Sequence, residues 1–212
     1  MTPLEEAKVS HLSWKGSLQY PEMIRIGTPG DGSCLFHAIC RASSTPYQDG
    51  YIRNGNTSEP FDRREFVLKL RSELSDVLSE LSNPLDSKGP THYDLLGNGE
   101  IKNLGQTQKE FSLEGLRDRL RRPVSIGKEL FEFISNQLNK DIYILSAEEE
   151  DVYFAADDLS LLYKFRESIV LLALKNHYET IGVIEAGKAV TLFQPSHPFI
   201  KEIRGRLRRE KD

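Results

Sequence analysis

The stretch Gly27-Thr-Pro-Gly-Asp-Gly-Ser-Cys34-Leu-Phe-His-Ala-Ile39 joins two different patterns at one cysteine. Its first half holds three glycines and a proline, a composition typical of tight turns. Its second half becomes apolar at helical spacing, with Leu35, Ile39 and Ala42 on one face. The sequence therefore predicts that Cys34 begins a helix directly after a glycine-rich loop.

A cysteine at the start of a helix is chemically distinctive. Unpaired backbone N–H groups and the positive end of the helix dipole favour the thiolate over the thiol. The same amides can donate to an oxyanion that develops beside the sulfur. The alternative is that Cys34 is a small core residue, as most cysteines in apolar stretches are.

A nucleophilic thiol needs a base, which is commonly a histidine distant in sequence. His177 lies between Ser168–Leu174, an apolar run of strand length, and residues 181–184, a second such run. It therefore occupies the connection of a predicted hairpin. His92 is a weaker candidate, because no apolar strand presents it. Cys34 and His177 form the candidate catalytic pair, and a structural or surface histidine is the alternative for His177.

Two motifs resemble the ovarian tumour (OTU) family of cysteine proteases. They are Gly30-Asp-Gly-Ser-Cys-Leu-Phe-His-Ala-Ile39 and, far downstream, Ile169-Val-Leu-Leu-Ala-Leu-Lys-Asn-His-Tyr178. The segments Ile126-Gly-Lys-Glu-Leu130 and Asp141-Ile-Tyr-Ile-Leu145 add to this resemblance, which spans most of the chain. It implies a deubiquitinase that hydrolyses the isopeptide bond at the C-terminal glycine of ubiquitin or a ubiquitin-like modifier. The implied partners are that modifier and polyubiquitin chains.

The resemblance also implies a role for each site residue. Cys34 attacks the carbonyl carbon, and His177 acts as base and then as acid. The family commonly has Asp or Asn two places after the histidine, where this chain has Glu179, and Asp31 and Asn176 are the reserves for this orienting role. The oxyanion would be stabilised by loop and helix amides at Asp31, Gly32, Ser33 and Cys34.

Two further features have both a functional and a structural interpretation. The acidic run Glu148, Glu149, Glu150 and Asp151 is a candidate docking site for the basic tail of ubiquitin, although such runs are usually solvated loops. His37, three residues after Cys34, is interpreted as a packing or hydrogen-bonding residue rather than a catalytic one.

Composition limits the remaining classes of function. The chain has 212 residues with a net charge of −4, so bulk electrostatics does not favour a nucleic-acid partner. No apolar run approaches the roughly 20 residues of a membrane span, and the N-terminus does not resemble a signal peptide. We therefore expect no nucleic-acid and no membrane partner, and a cytoplasmic location. A compact domain of this kind would also suit a viral or bacterial effector. In that case the expected location is the cytoplasm of the host cell.

The two cysteines, Cys34 and Cys40, lie six positions apart on one predicted helix and face different directions, so we expect no disulfide. Cys40 is interpreted as core. Scattered histidines show no zinc-ligand spacing, and we expect neither a metal nor another cofactor.

The order of elements predicts an α+β domain, because helices come first and closely spaced strands come last. The resemblance implies a papain-like, OTU-like fold with a central mixed or antiparallel sheet held between helices. Three parts are predicted: an N-terminal extension packed on the body (1–20), the catalytic domain (21–200) and a charged, frayed or disordered tail (201–212). We also predict a surface loop over 45–60, a helix over 62–82 and a helix with Ser125 as its N-cap.

Two other functions remain open at this point. One is a relative that binds ubiquitin without cleaving it. The other is a cysteine hydrolase or transferase for a different acyl substrate, since thiol–histidine chemistry does not fix the substrate.

Overall fold

The computed structural model describes residues 7–14, 16, 18–154 and 164–209. The strands follow one another along the chain as β1 (Val9–His11), β2 (Met23–Ile26), β3 (Tyr51–Asn54), β4 (Thr57–Pro60), β5 (Asp141–Ser146), β6 (Asp151–Phe154), β7 (Ser168–Leu174), β8 (His177–Glu185), β9 (Lys188–Val190) and β10 (Leu192–Phe193). The helices are α1 (Cys34–Ser43), α2 (Thr45–Asp49), α3 (Arg63–Val77), α4 (His92–Leu95), α5 (Glu100–Gly105), α6 (Leu113–Arg121), α7 (Phe131–Gln137) and α8 (Pro198–Arg209).

Eight strands of the described residues form one mixed sheet. Its order is β1-β2-β8-β7-β5-β6, while β10 pairs with β7 and β9 with β8. The pair β5–β7 is parallel, and the other pairs of this sheet are antiparallel. The predicted mixed sheet is confirmed.

Side-chain alternation on the central strands separates two cores. Ile142 and Ile144 of β5 belong to the cluster shared with α1, α3, α6 and α7. Tyr143 and Leu145, one residue out of phase, belong to the cluster shared with α8. Because successive side chains of a strand point to opposite faces, the sheet is packed on both sides. The predicted arrangement, a sheet held between helices, is therefore confirmed.

Several strands end or begin at one edge of the sheet, which we call the Cys34 edge. Here β2, β5 and β7 end and β8 begins, as the pairs Ile26↔Thr180, Leu174↔His177 and Ser146↔Ala173 show. The loop from Gly27 leaves this edge and leads into α1.

Three local predictions were wrong. Residues 45–60 are not a loop, since they form the short helix α2 and the exposed hairpin β3–β4. The helix predicted over 62–82 ends at Val77. The amides of the residues after it form turn-type hydrogen bonds to carbonyls two to four residues back. Ser125 is not a helix N-cap, because a 3₁₀ turn (Lys128–Leu130) precedes α7 and Gly127 occupies its N-cap position.

Residues 201–212 were predicted as a frayed helix or a disordered tail. A helix is present, but it is packed on the body rather than frayed, and residues 210–212 lie outside the described part of the chain. Pro198–Arg209 is helix α8, and its Phe199, Ile200 and Ile203 are fully buried against the sheet. The boundaries 1–20, 21–200 and 201–212 stay predictions. Among the described residues, no helix has the length and apolar composition that crossing a bilayer requires.

Candidate active site

Cys34 is the first residue of α1, as predicted, and it is buried. Thr180 of β8 donates a hydrogen bond to the Ala38 carbonyl of α1 at 2.8 Å and so fixes the helix on the strand. Cys34 lies four residues before Ala38, about 6 Å along the helix. His177 lies three residues before Thr180, about 10 Å along the strand. Both residues are therefore displaced from this contact toward the Cys34 edge.

The fold brings the predicted pair to one edge without a hydrogen bond between the two side chains in the described part of the chain. His177 is half-buried, and its Nε2 lies 3.3 Å from Thr28 Oγ1. In substrate-free enzymes catalytic hydrogen bonds are often long or poorly aligned, so the absence of one here does not argue against the candidate pair.

Thr28 is a site residue that the sequence interpretation missed. Its hydroxyl donates its single hydrogen to the Tyr178 carbonyl, so Oγ1 can only accept from His177. The tautomer of a neutral His177 that fits this contact carries its proton on Nε2, which leaves the Nδ1 lone pair for another partner. Sequence could have suggested Thr28 only through the β2–β8 register, since extending the pair Ile26↔Thr180 by two residues places Thr28 opposite Tyr178.

Glu179 is held by a different partner from the predicted one. Arg25 of β2 donates from Nε to Oε2 at 2.6 Å and from Nη2 to Oε1 at 2.8 Å. These bonds raise the pKa of Arg25. The structure brings Glu179 to Arg25 and not to the His177 ring. Asn176 is exposed in the two-residue turn between β7 and β8.

Asp31 shapes the loop before Cys34. Its Oδ1 accepts from the Ser33 amide at 3.0 Å, and its Oδ2 lies 3.1 Å from His37 Nε2. Arg64 approaches the same carboxylate at 3.8 Å. Asp31 is thus directed toward α1 rather than toward His177.

His37 is fully buried and links this loop to α2. Its Nδ1 lies 2.6 Å from Tyr47 Oη, and the phenol hydrogen makes Tyr47 the donor while Nε2–H donates to Asp31. Burial lowers the pKa of His37, and burial raises that of Tyr47. The interpretation of His37 as a hydrogen-bonding residue agrees with this chain of contacts.

The amides near Cys34 are only partly free. The Ser33 N–H is used by Asp31, whereas those of Gly32 and Cys34 have no hydrogen-bond acceptor among the described residues. Gly32 has φ +82°, and a Cβ there would lie 2.0 Å from the Pro123 carbonyl oxygen. Only glycine fits this close approach.

The acidic run lies at the same edge as His177. Glu148, Glu149 and Glu150 lie in the exposed turn between β5 and β6, and Asp151 is the half-buried first residue of β6. The Ala147 amide of the same turn donates to the Ala173 carbonyl near the end of β7. The β7–β8 turn with His177 is therefore about 10 Å away, two strand spacings along the sheet.

Cys40 lies in the core, where burial raises the pKa of its thiol to about 12. It is therefore a thiol and not a thiolate at neutral pH. In the part of the chain that the structure describes, no three His, Cys, Asp or Glu side chains are grouped to hold a metal ion.

Solved structures show which known fold this arrangement matches. An OTU domain in complex with ubiquitin superposes with a TM-score of 0.50 at 17% identity, over 88% of this chain and 84% of that one. The chain has an OTU-like fold.

Two further solved structures are similar at lower scores. The OTU domain of OTUD1 has a TM-score of 0.42 at 16% identity, over 75% of this chain and 85% of that one. The viral OTU domain protease from Taggert virus has a TM-score of 0.41 at 17% identity, over 84% and 98%. No protein-family model and no curated protein sequence matches this chain significantly.

Proposed function

We propose that this protein is a thiol-dependent deubiquitinase that hydrolyses the isopeptide bond at the C-terminal glycine of ubiquitin or a ubiquitin-like modifier. One observation carries the proposal: on an OTU-like fold, Cys34 begins α1 at the sheet edge where His177 begins β8. A cysteine at a helix N-terminus with a nearby histidine base is the arrangement that thiol acyl transfer requires.

The reaction proceeds in two steps on these residues. His177 Nδ1 takes the Cys34 proton, and the thiolate attacks the glycine carbonyl to form a C–S bond. The tetrahedral oxyanion is stabilised by the free amides of Gly32 and Cys34. His177 then gives its proton to the lysine amine, the C–N bond breaks, and a thioester remains. Water, deprotonated by His177, hydrolyses the thioester and releases the modifier's carboxylate and the free thiol.

Thr28 is the orienting residue in this proposal. It accepts from His177 Nε2–H and thereby turns Nδ1, the atom that exchanges protons with sulfur, away from itself. A hydroxyl held by the Tyr178 carbonyl performs here the role that Glu179 was predicted to have.

The substrate assignment is supported by the acidic turn. Glu148, Glu149 and Glu150 are exposed beside the Cys34 edge, where a modifier with a basic C-terminal tail would dock. A solved OTU domain binds ubiquitin. Activity on ubiquitin conjugates requires a reduced thiol, which places the protein in a reducing compartment such as the cytoplasm, or the host cytoplasm for an effector.

A second candidate function is ubiquitin binding without cleavage. It is favoured by one observation: among the described residues, the His177 side chain is bonded to Thr28 and no hydrogen bond joins it to Cys34. If the bond to Cys34 also fails to form when substrate is bound, the thiol has no base.

The deciding experiment is incubation with ubiquitin that carries a C-terminal electrophile, followed by intact mass measurement. The parent protein and Cys40→Ser should each gain one ubiquitin, and Cys34→Ala should gain none. Cleavage of ubiquitin linked through its C-terminus to a fluorogenic amine then separates turnover from binding. A folded parent that binds ubiquitin but forms no adduct and cleaves nothing would establish the second candidate.

A further inference from the structure

Arg71 of α3 is a fully buried arginine whose charge has no carboxylate within salt-bridge distance among the described residues. A guanidinium in such a place is costly unless its N–H groups are hydrogen-bonded. All of the acceptors found for Arg71 are backbone carbonyls and one hydroxyl, from two segments distant in sequence. This arrangement makes Arg71 a cross-link between those segments.

The first segment is the C-terminal end of α6 and the residues after it. Arg71 Nε donates to the Leu120 carbonyl at 2.8 Å. Its Nη2 donates to the carbonyls of Arg119 at 2.8 Å and Val124 at 2.9 Å, and also to that of Arg122. The carbonyls of Arg119 and Leu120 belong to the last turn of α6, where a helix leaves its carbonyls without intrahelical partners. Arg71 thus fixes the segment that approaches Gly32 through Pro123.

The second segment is the loop before Cys34. Arg71 Nη1 donates to Ser33 Oγ at 3.2 Å and lies 3.5 Å from the Gly32 carbonyl oxygen. The Asp31 carboxylate holds the Ser33 amide from the other side. The peptide between Gly32 and Ser33 is therefore fixed at both its C=O and its N–H.

Ser33 occupies the N-cap position of α1 but makes no capping hydrogen bond. A serine there usually accepts from an amide of the first helical turn. The Ser33 hydroxyl accepts from Arg71 instead, and among the described residues no side chain caps the amides of Cys34, Leu35 and Phe36. The guanidinium also lies over the Phe36 ring at 4.7 Å, which ties α3 to this first turn.

The charge of Arg71 persists at neutral pH. Burial lowers the pKa of Arg71 to about 10, while the charges of Asp31 and Cys34 act in the opposite direction. The cation therefore lies within electrostatic reach of the sulfur.

We propose that Arg71 is a positioning residue for the hydrolysis proposed above, on which this inference rests. By holding the Gly32 carbonyl and the Ser33 hydroxyl, it keeps the first-turn amides of α1 free and directed at the substrate oxyanion. It touches no substrate itself.

The test compares Arg71→Met and Arg71→Lys with Ser75→Ala. Ser75 is the matched control, because it lies one turn further along α3 and donates to the Arg117 carbonyl of α6, away from the loop. Each variant is checked for folding by circular dichroism, and kcat and KM are measured on the fluorogenic ubiquitin amide.

We expect kcat to fall about 100-fold in Arg71→Met and about tenfold in Arg71→Lys, with KM within about twofold of the parent, as for loss of oxyanion stabilisation. Ser75→Ala should keep its kcat within about twofold. The proposal is overturned if folded Arg71 variants keep kcat within about threefold, if the change is in KM, or if Ser75→Ala loses as much activity. It is equally overturned if neither Arg71 variant folds while Ser75→Ala does, because Arg71 is then a stability residue.

Amide hydrogen exchange followed by NMR gives a readout that needs no ubiquitin. The Ser33 amide should exchange at least about tenfold faster in Arg71→Lys than in the parent, and at the parent's rate in Ser75→Ala. Absence of activity in the parent would defeat the proposed function, while this exchange pattern would still support the loop-holding role of Arg71. Unchanged exchange in Arg71→Lys would defeat that role whatever the activity.

Discussion

Arg25 on β2 binds the Glu179 carboxylate on β8 through two parallel hydrogen bonds of 2.6 and 2.8 Å. The pair joins neighbouring strands at diagonal positions, since Arg25 stands opposite Ile181. Glu179 is 8% exposed, so its charge is largely withdrawn from water and depends on Arg25. A carboxylate bound in this way stabilises the pairing of β2 with β8 and does not orient the His177 ring.

We therefore expect Glu179→Gln to leave kcat/KM within about threefold of the parent and to lower the free energy of unfolding by about 1–2 kcal/mol, the scale of a charge-assisted hydrogen bond. Steady-state kinetics and urea denaturation measure the two effects. If Glu179→Gln instead lost kcat about a hundredfold while its stability equalled that of the parent, Glu179 would have a catalytic role and this prediction would be wrong.

Thr28→Val should lower kcat about tenfold or more with little change in KM, because the His177 ring loses the acceptor that holds its Nε2–H. Valine has nearly the shape of threonine, so packing is preserved. Thr28→Ser retains the hydroxyl and should keep most of the activity. If Thr28→Val were as active as the parent, the orienting role of Thr28 would be excluded.

Reversing charge in the acidic turn, as Glu148→Lys with Glu149→Lys, should raise KM about fivefold or more at low salt and leave kcat unchanged. The effect should shrink as ionic strength rises, because the turn is exposed. Glu22→Lys is the control, because Glu22 is exposed just before β2 at the opposite edge of the sheet. If the parent, the double variant of the turn and Glu22→Lys all had the same KM, the turn would be a solvated loop without a docking role.

His37 should make stability depend on pH. Burial lowers its pKa below the ordinary value of 6.5, although Asp31 acts in the opposite direction. The unfolded chain therefore takes up a proton near pH 6.5, while the folded protein does so only at lower pH. Between these two values the free energy of unfolding falls as the pH falls, by up to about 1.4 kcal/mol per pH unit.

His37→Gln removes this titration and keeps a donor for Asp31. The loss of stability between pH 7.5 and pH 5.5 should then be smaller than in the parent, as measured by urea denaturation at the two pH values. The pKa of His92 is also lowered by burial, but His92 is present in both proteins and cancels in the comparison. An identical pH dependence would contradict the buried neutral state of His37.

Local sequence patterns were enough to predict several of the regular elements. The glycine loop followed by apolar residues at helical spacing correctly predicted that Cys34 begins a helix. The two apolar runs around His177 correctly predicted a hairpin, now β7 and β8, but His177 is the first residue of β8 and not part of the connection. Both signals are short-range, since helix and strand periodicity are set by neighbouring residues.

The failures share a physical origin. Residues 45–60 contain many turn formers, yet Tyr47 is fully buried and the segment folds into α2 and a hairpin. Residues 201–207 carry many charges, yet every third or fourth residue is apolar and packs on the sheet. Contacts with the body of the domain override composition in both segments.

The sequence by itself determined the α+β fold, the place of Cys34 at a loop–helix junction and the place of His177 in a β-hairpin. Only the tertiary structure decided the partners: Thr28 for His177, Arg25 for Glu179, His37 for Asp31 and Arg71 for the Cys34 loop. Most of these bonds join residues far apart in the chain. They depend on which strands become neighbours, in which register, and on where α3 meets α6, and no local pattern encodes that geometry.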